Sequence, residues 1–306
     1  MKKVLIATDK PFAKVAVTQI KEVFDQANYE TIMLEKYTDQ SDFVNAVKDV
    51  DAVIIRSDKA TKEVLDAAKN LKVIVRAGAG YDNIDLQAAT ANNIVAMNTP
   101  GQNSNAVAEL AIGMMIYMAR AKFNGSSGTE IKEKTLGIHA YGNVGKYVAA
   151  IAKGFGMKVY AFDPYVAKET IEADGVKAVA TVEELYQKCQ YISLHIPAND
   201  KTRESINFKL LSKMPKGATL VNTARKEVIH EDELKKIFEQ REDFKYLSDV
   251  APNCAEELMA LYENRCYFTP KKMGAQTSEA NINAGIAAAK QIVNFLEKGD
   301  KTFKVN

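Results

Sequence analysis

The sequence predicts an α/β chain of two doubly wound parallel-sheet domains. Three observations point there. Short apolar runs alternate with helically spaced apolar residues in two separate series; a glycine-rich turn stands near the head of the second series; and 306 residues is the length of two ordinary domains.

In the first series, residues 4–7 form a short apolar run that reads as a buried strand leaving into Thr8-Asp9-Lys10-Pro11. Val15, Ile20, Val23 and Phe24 then recur at helical spacing within residues 13–26. Strands are expected at 31–34, 52–55 and 73–75, with helices at 43–47 and 64–68. The last of these strands ends at Arg76-Ala77-Gly78-Ala79-Gly80. Alternation with such short connections predicts a parallel sheet covered on both faces. A long apolar helix is expected over about residues 105–121, followed by Asn124-Gly125-Ser126-Ser127-Gly128, a connection outside the packed core. Strands of the second series are expected at 135–139, 158–162, 191–195, 219–222, 246–249 and 267–268, and a final Ala- and Ile-rich helix at 279–297.

Composition excludes some classes of function. Forty-one basic residues stand against 39 acidic ones, a net charge of +2, so no one-signed field invites a nucleic acid or a membrane surface. Cys189, Cys254 and Cys266 are odd in number and unpaired in spacing, which argues against a disulfide framework and against a zinc site; no metal is expected. The N-terminal apolar run is too short for a signal peptide, and no stretch approaches the ~18 apolar residues of a spanning helix. A cytoplasmic location is expected.

The glycine-rich turn carries the first functional signal. A strand over 136–139 runs into Ala140-Tyr141-Gly142-Asn143-Val144-Gly145, a helix follows to about Phe155, and a second strand ends at Asp163. This is a dinucleotide-binding arrangement with Ala at the first glycine position. Gly142 removes a Cβ where backbone approaches a pyrophosphate, Gly145 lets the helix pack against the strand, and the helix N-terminus offers N–H groups to the anion. Ala140 is expected to cost little. Asp163 lies 21 residues after Gly142, the spacing of an acid that accepts from the adenosine ribose and repels a 2′-phosphate, so NAD is favoured over NADP.

Hydride exchange with a 2-hydroxy acid further needs a cation for the carboxylate and carbonyl oxygen, and an acid/base for the hydroxyl proton. Arg225 stands just past a strand, in Leu220-Val221-Asn222-Thr223-Ala224-Arg225. Together with residues 76–85 (RAGAGYDNID), Asn98-Thr99-Pro100, Val107-Ala108-Glu109, Ser193-Leu194-His195-Ile196-Pro197, Ser248-Asp249-Val250, Thr269-Pro270 and Gly274-Ala275-Gln276-Thr277, this run resembles the D-2-hydroxyacid dehydrogenase family over nearly the whole chain. The nearest likeness is to its short phosphoglycerate dehydrogenases.

The resemblance implies a cofactor domain, residues 98–277, inserted into a discontinuous substrate domain, residues 1–97 and 278–306. It implies NAD-dependent oxidation of 3-phosphoglycerate, the first step of serine biosynthesis, by a homodimer. Arg225 would hold the substrate, the N–H groups of Ala79 and Gly80 its carboxylate, and Arg56 and Ser57 its phosphate, with Asn103 as a further contact. Cofactor contacts are implied for Ala140, Gly142, Asn143, Val144, Gly145, Asp163, His195, Pro197, Thr202, Thr223, Ala224, Asp249, Gly274 and Ala275.

Two departures bear on catalysis. The family's acid/base His after Thr-Pro is absent, and the run reads Thr269-Pro270-Lys271-Lys272-Met273-Gly274, one residue long. Lys271 or Lys272 is the expected replacement; counting from either end of the run gives different answers. The family's Glu is missing at its usual offset, and Glu256 and Glu257 stand nearby. His139, His195 and His230 are expected to be structural or at most beside the cofactor. The alternatives are a glyoxylate, hydroxypyruvate or D-lactate reductase, and a non-catalytic NAD-sensing scaffold.

Overall fold

The computed structural model describes residues 1–306. It divides into two compact units, Met1–Asn103 with Gln276–Asn306, and Ser104–Ala275.

The first unit opens with β1 (Lys3–Thr8), α1 (Lys14–Gln26), β2 (Glu30–Glu35), α2 (Gln40–Ala46), β3 (Ala52–Ile55), α3 (Lys62–Ala67), β4 (Val73–Arg76), α4 (Leu86–Ala91) and β5 (Val95–Asn98). The strands form a five-stranded parallel sheet in the order β2-β1-β3-β4-β5. Val4, Leu5, Ile6 and Ala7 are fully buried, which is why this strand reads as a continuous apolar run rather than an alternating one. α1 buries Ala16, Ile20 and Phe24, one helical turn apart. Asp39, Thr61 and Asp85 cap α2, α3 and α4 through their side chains. The α4–β5 pair was not expected from sequence; α4 has only six residues and β5 only four, too few for a periodic signal.

The second unit contains α5 (Ser104–Ala119), β6 (Thr135–His139), α6 (Asn143–Gly154), β7 (Lys158–Phe162), α7 (Lys168–Ala173), β8 (Lys177–Ala178), α8 (Val182–Lys188), β9 (Tyr191–Leu194), α9 (Phe208–Leu211), β10 (Thr219–Asn222), α10 (Glu231–Gln240), β11 (Lys245–Ser248), α11 (Ala255–Tyr262) and β12 (Cys266–Phe268). Its seven parallel strands run β12-β11-β10-β9-β6-β7-β8. The order reverses between β6 and β9, so the carboxyl ends on either side of that point frame the crevice where such sheets take ligands. α5 is apolar on nearly every side and buries Ala108, Ala111, Ile112, Met114, Met115 and Met118. The connection after it is exposed from Asn124 to Gly128, yet it is fastened: the Thr129 N–H donates to the Ala119 carbonyl at 2.7 Å. Ala121, Lys122 and Phe123 stand at φ of 50°, 55° and 56°, a left-handed turn without glycine.

The last helix, α12 (Ser278–Lys298), returns to the first unit. It lies along α1 through a face of Ala280, Ala284, Gly285, Ala288 and Ala289, small enough for close approach. No helix is long and apolar enough to cross a membrane.

Candidate active site

The glycine-rich turn joins β6 to α6. Gly142 has an ordinary φ of −84°, and a Cβ built on it meets nothing of the chain within 4 Å. Its value lies in the open space beside the backbone. A Cβ on Gly145 would lie 2.5 Å from the Ala140 carbonyl oxygen and 3.0 Å from Ile138 Cγ2, so this glycine is what lets α6 sit on β6. Gly142 supplies no side-chain cap, leaving the first N–H groups of α6, at Asn143, Val144 and Gly145, directed out of the helix end. Ala140 departs from expectation: it is held at φ 80°, where a Cβ meets the following carbonyl, so alanine here is strained rather than cheap. Asp163, just past β7, accepts the N–H of Tyr141 and the N–H of Tyr165, each at 2.8 Å. Its carboxylate is thereby set against the turn. Open space, free helix N–H groups and an adjoining carboxylate fit a dinucleotide.

Across the switch point, His195 follows β9. Its Nε2 is 2.9 Å from Ser193 Oγ and its Nδ1 3.4 Å from Thr223 Oγ1. Burial, with His139 beside it, pulls the His195 pKa down to about 3. Burial likewise pulls buried His139 to about 4. Both imidazoles are neutral at neutral pH, and His230 begins α10 as its N-cap. Pro197 is exposed, and Thr202 closes its loop by donating its hydroxyl to the Pro197 carbonyl.

Arg225 stands beyond β10. Buried Asn222 fixes it: Asn222 Oδ1 accepts the Ala224 N–H at 2.9 Å, and Nδ2 donates to the Arg225 carbonyl at 3.0 Å. The Arg225 guanidinium donates to the Ala224 carbonyl and is half-buried. Asn222 was not singled out from sequence, because its role lies in a side-chain clamp on its own turn. Asp249, past β11, is joined to the same place by its N–H, which donates to the Asn222 carbonyl at 3.0 Å. Its buried carboxylate reaches the loop after β12, accepting from Thr269, Met273 and Gly274. Lys271 and Lys272 sit exposed on that loop, and partly exposed Ala275 follows it.

Glu256 and Glu257 lie exposed in the first turn of α11, and Glu257 pairs with Lys235 of α10 at 3.4 Å. It is Glu231 whose carboxylate receives the N–H groups of Asn253 and Cys254 ahead of that helix.

In the first unit, Arg56 follows β3. Its guanidinium donates to the carbonyls of Lys10 (2.8 Å) and Pro11 (3.1 Å) and to Asn281 Oδ1 (2.6 Å), and lies over the Phe12 ring. It is a built-in group and not a solvated strand-end charge; exposed Ser57 follows it. After β4, the N–H groups of Ala79 and Gly80 meet no acceptor in the chain, while Asn98 Nδ2 holds the Ala79 carbonyl at 2.6 Å. A Cβ on Gly78 would collide with the guanidinium of Arg76, which therefore lies over this turn. Arg76 belongs with Ala79 and Gly80, a grouping that the turn's backbone creates. Asn103 is partly exposed immediately before α5.

The profile of the family described as D-isomer specific 2-hydroxyacid dehydrogenase, NAD binding domain, matches residues 108–270. The D-3-phosphoglycerate dehydrogenase of Methanocaldococcus jannaschii is 35% identical over 84% of this chain and 52% of its own length. The hydroxypyruvate reductase of Thermotoga maritima is 33% identical over 87% of this chain and 92% of its own. A solved NAD+-bound 3-phosphoglycerate dehydrogenase from Entamoeba histolytica superposes with a TM-score of 0.88 at 47% identity, covering 100% of this chain and 98% of that one. The chain spans about half the length of the curated phosphoglycerate dehydrogenases it matches.

Proposed function

The chain belongs to the D-isomer specific 2-hydroxyacid dehydrogenases, an NAD-binding family acting on CH–OH groups, and on that premise we propose that it interconverts 3-phosphoglycerate and 3-phosphohydroxypyruvate, the first step of serine biosynthesis. The observation that carries the reading is the shared edge: the glycine turn after β6, the Arg225 turn after β10 and the lysine loop after β12 all leave carboxyl ends of one parallel sheet.

Bound NAD supplies the hydride acceptor. Arg225 binds the carboxylate and polarises the C2 oxygen. The Ala79 and Gly80 N–H groups, with Arg76 beside them, hold the substrate's anionic end. One of Lys271 and Lys272 takes the hydroxyl proton in oxidation and returns it in reduction. A lysine ammonium, with an ordinary pKa of ~10.4, is an acid at neutral pH, so reduction is the easier direction there and oxidation rises with pH. The same reading makes the protein a cytoplasmic homodimer.

Arg56 and Ser57 are assigned the phosphate, with Arg56 using the N–H groups left over from its three bonds. The engagement of Arg56, and the near-complete span of the Thermotoga maritima relative, favour hydroxypyruvate reduction as the second reading. Arg56→Ala separates them. It is expected to raise KM for phosphohydroxypyruvate by about tenfold or more and leave hydroxypyruvate nearly unchanged, as loss of a charge-assisted phosphate contact should. An equal effect on both substrates contradicts the phosphate assignment.

A further inference from the structure

The run from Thr269 to Gly274 carries both candidate lysines, so something must fix its two ends. Asp249 does so in this fold. Its side chain belongs to a residue only 1% exposed. Oδ1 lies 2.9 Å from the Thr269 hydroxyl and accepts the Met273 N–H at 2.6 Å; Oδ2 accepts the Gly274 N–H at 2.8 Å. A Cβ on Gly274 would stand 3.0 Å from Oδ2 and 3.1 Å from Val107 Cγ2, so Gly274 sits close against both. The Thr269 N–H is held in addition by the Ser248 carbonyl at 3.1 Å. Both feet of the loop are therefore tied to one carboxylate, with Lys271 and Lys272 between them.

We infer that Asp249 is a positioning residue: its carboxylate clamps the lysine loop at both ends. The inference rests on the proposed lysine chemistry for its effect on turnover, but the clamp itself can be read without turnover. Each of the three donors is directed to an anion shielded from water, where charge-assisted bonds are short and strong. Through its N–H to the Asn222 carbonyl, Asp249 also ties the lysine loop to the clamp that presents Arg225.

The test uses Asp249→Asn, Thr269→Val and Thr269→Ser in the full chain. Asp249→Asn places an NH2 or a weaker acceptor against two N–H donors. It is expected to lower kcat for phosphohydroxypyruvate or hydroxypyruvate by about 10- to 100-fold, the penalty of a misplaced catalytic group, with the NADH Kd, read from cofactor fluorescence, within about twofold of wild type. Thr269→Val is expected to fall in the same direction and Thr269→Ser to restore the rate. If Asn at 249 prevents folding, the Thr269 pair carries the comparison. Trypsin cleavage after Lys271 and Lys272 should accelerate in Asp249→Asn and Thr269→Val and not in Thr269→Ser. A wild-type protein that turns over none of these acids but shows this cleavage pattern sinks the functional reading and keeps the clamp. Unchanged cleavage, or a collapsed NADH affinity with kcat retained at saturating NADH, overturns the clamp.

Discussion

Ala140, His139 and His195 show how far single residues are set by the fold around them. Ala140 sits at φ 80°, a conformation that costs an L residue on the order of 1 kcal/mol and a glycine far less. Ala140→Gly is therefore expected to raise the unfolding midpoint by about 1–3 °C, checked by thermal unfolding; a lower midpoint would show that the strain is relieved elsewhere. His139 and His195 titrate near 4 and 3 in the folded chain, below the ordinary 6.5, because burial disfavours the imidazolium. The unfolded chain takes up these protons first. Their contribution is present in full above about pH 6.5 and is lost as pH falls toward 4. Urea midpoints measured from pH 7 down to 4 should drop, and His139→Gln should flatten part of that slope. At these values both imidazoles are uncharged near neutrality. What the sequence hid at this scale is the backbone-holding role of Asn222, Asp249 and Glu231. Their targets are N–H and carbonyl groups brought close only by neighbouring strand ends, which no local spacing reveals.

Elements differ in how much of themselves they write into the chain. β3 and β10 are short runs with every residue buried, β1 is buried at all but Lys3, and they stand where the apolar letters place them. β8 has two residues and α9 four, and neither leaves a periodic trace. The β6–α6 unit was legible because its glycines answer two different demands, open space at 142 and close packing at 145. Gly145→Ala forces a methyl against the Ala140 carbonyl, an overpacking worth about 1–3 kcal/mol. It is expected to lower stability and to abolish NADH binding in a fluorescence titration; undiminished binding would mean that α6 can shift without disturbing the turn. In the other unit, a Cβ on Gly285 of α12 would stand 2.6 Å from Ile20 Cδ1 and 3.2 Å from Phe12 Cε1, and Gly285→Val adds two methyl groups to it. A loss of about 1–3 kcal/mol is expected in chemical unfolding, with less for Gly285→Ala.

At the scale of the whole molecule, a near-balanced charge, two parallel sheets and an exposed lysine pair after Thr269-Pro270 define the problem that the chain poses. The family was legible from many short motifs spread across the chain. The identity of the proton carrier was not, because counting forward from Thr269-Pro270 and back from Gly274 gives different lysines. The most direct measurement is the rate of NADH oxidation with phosphohydroxypyruvate, followed at the near-ultraviolet band, for the wild type and for Lys271→Met/Lys272→Met together. Rapid turnover by the wild type and a fall of about 100-fold or more in the double variant, the scale of a lost general acid, is the predicted result. Equal rates in the two proteins, or no turnover by a wild type that binds NADH, would contradict it.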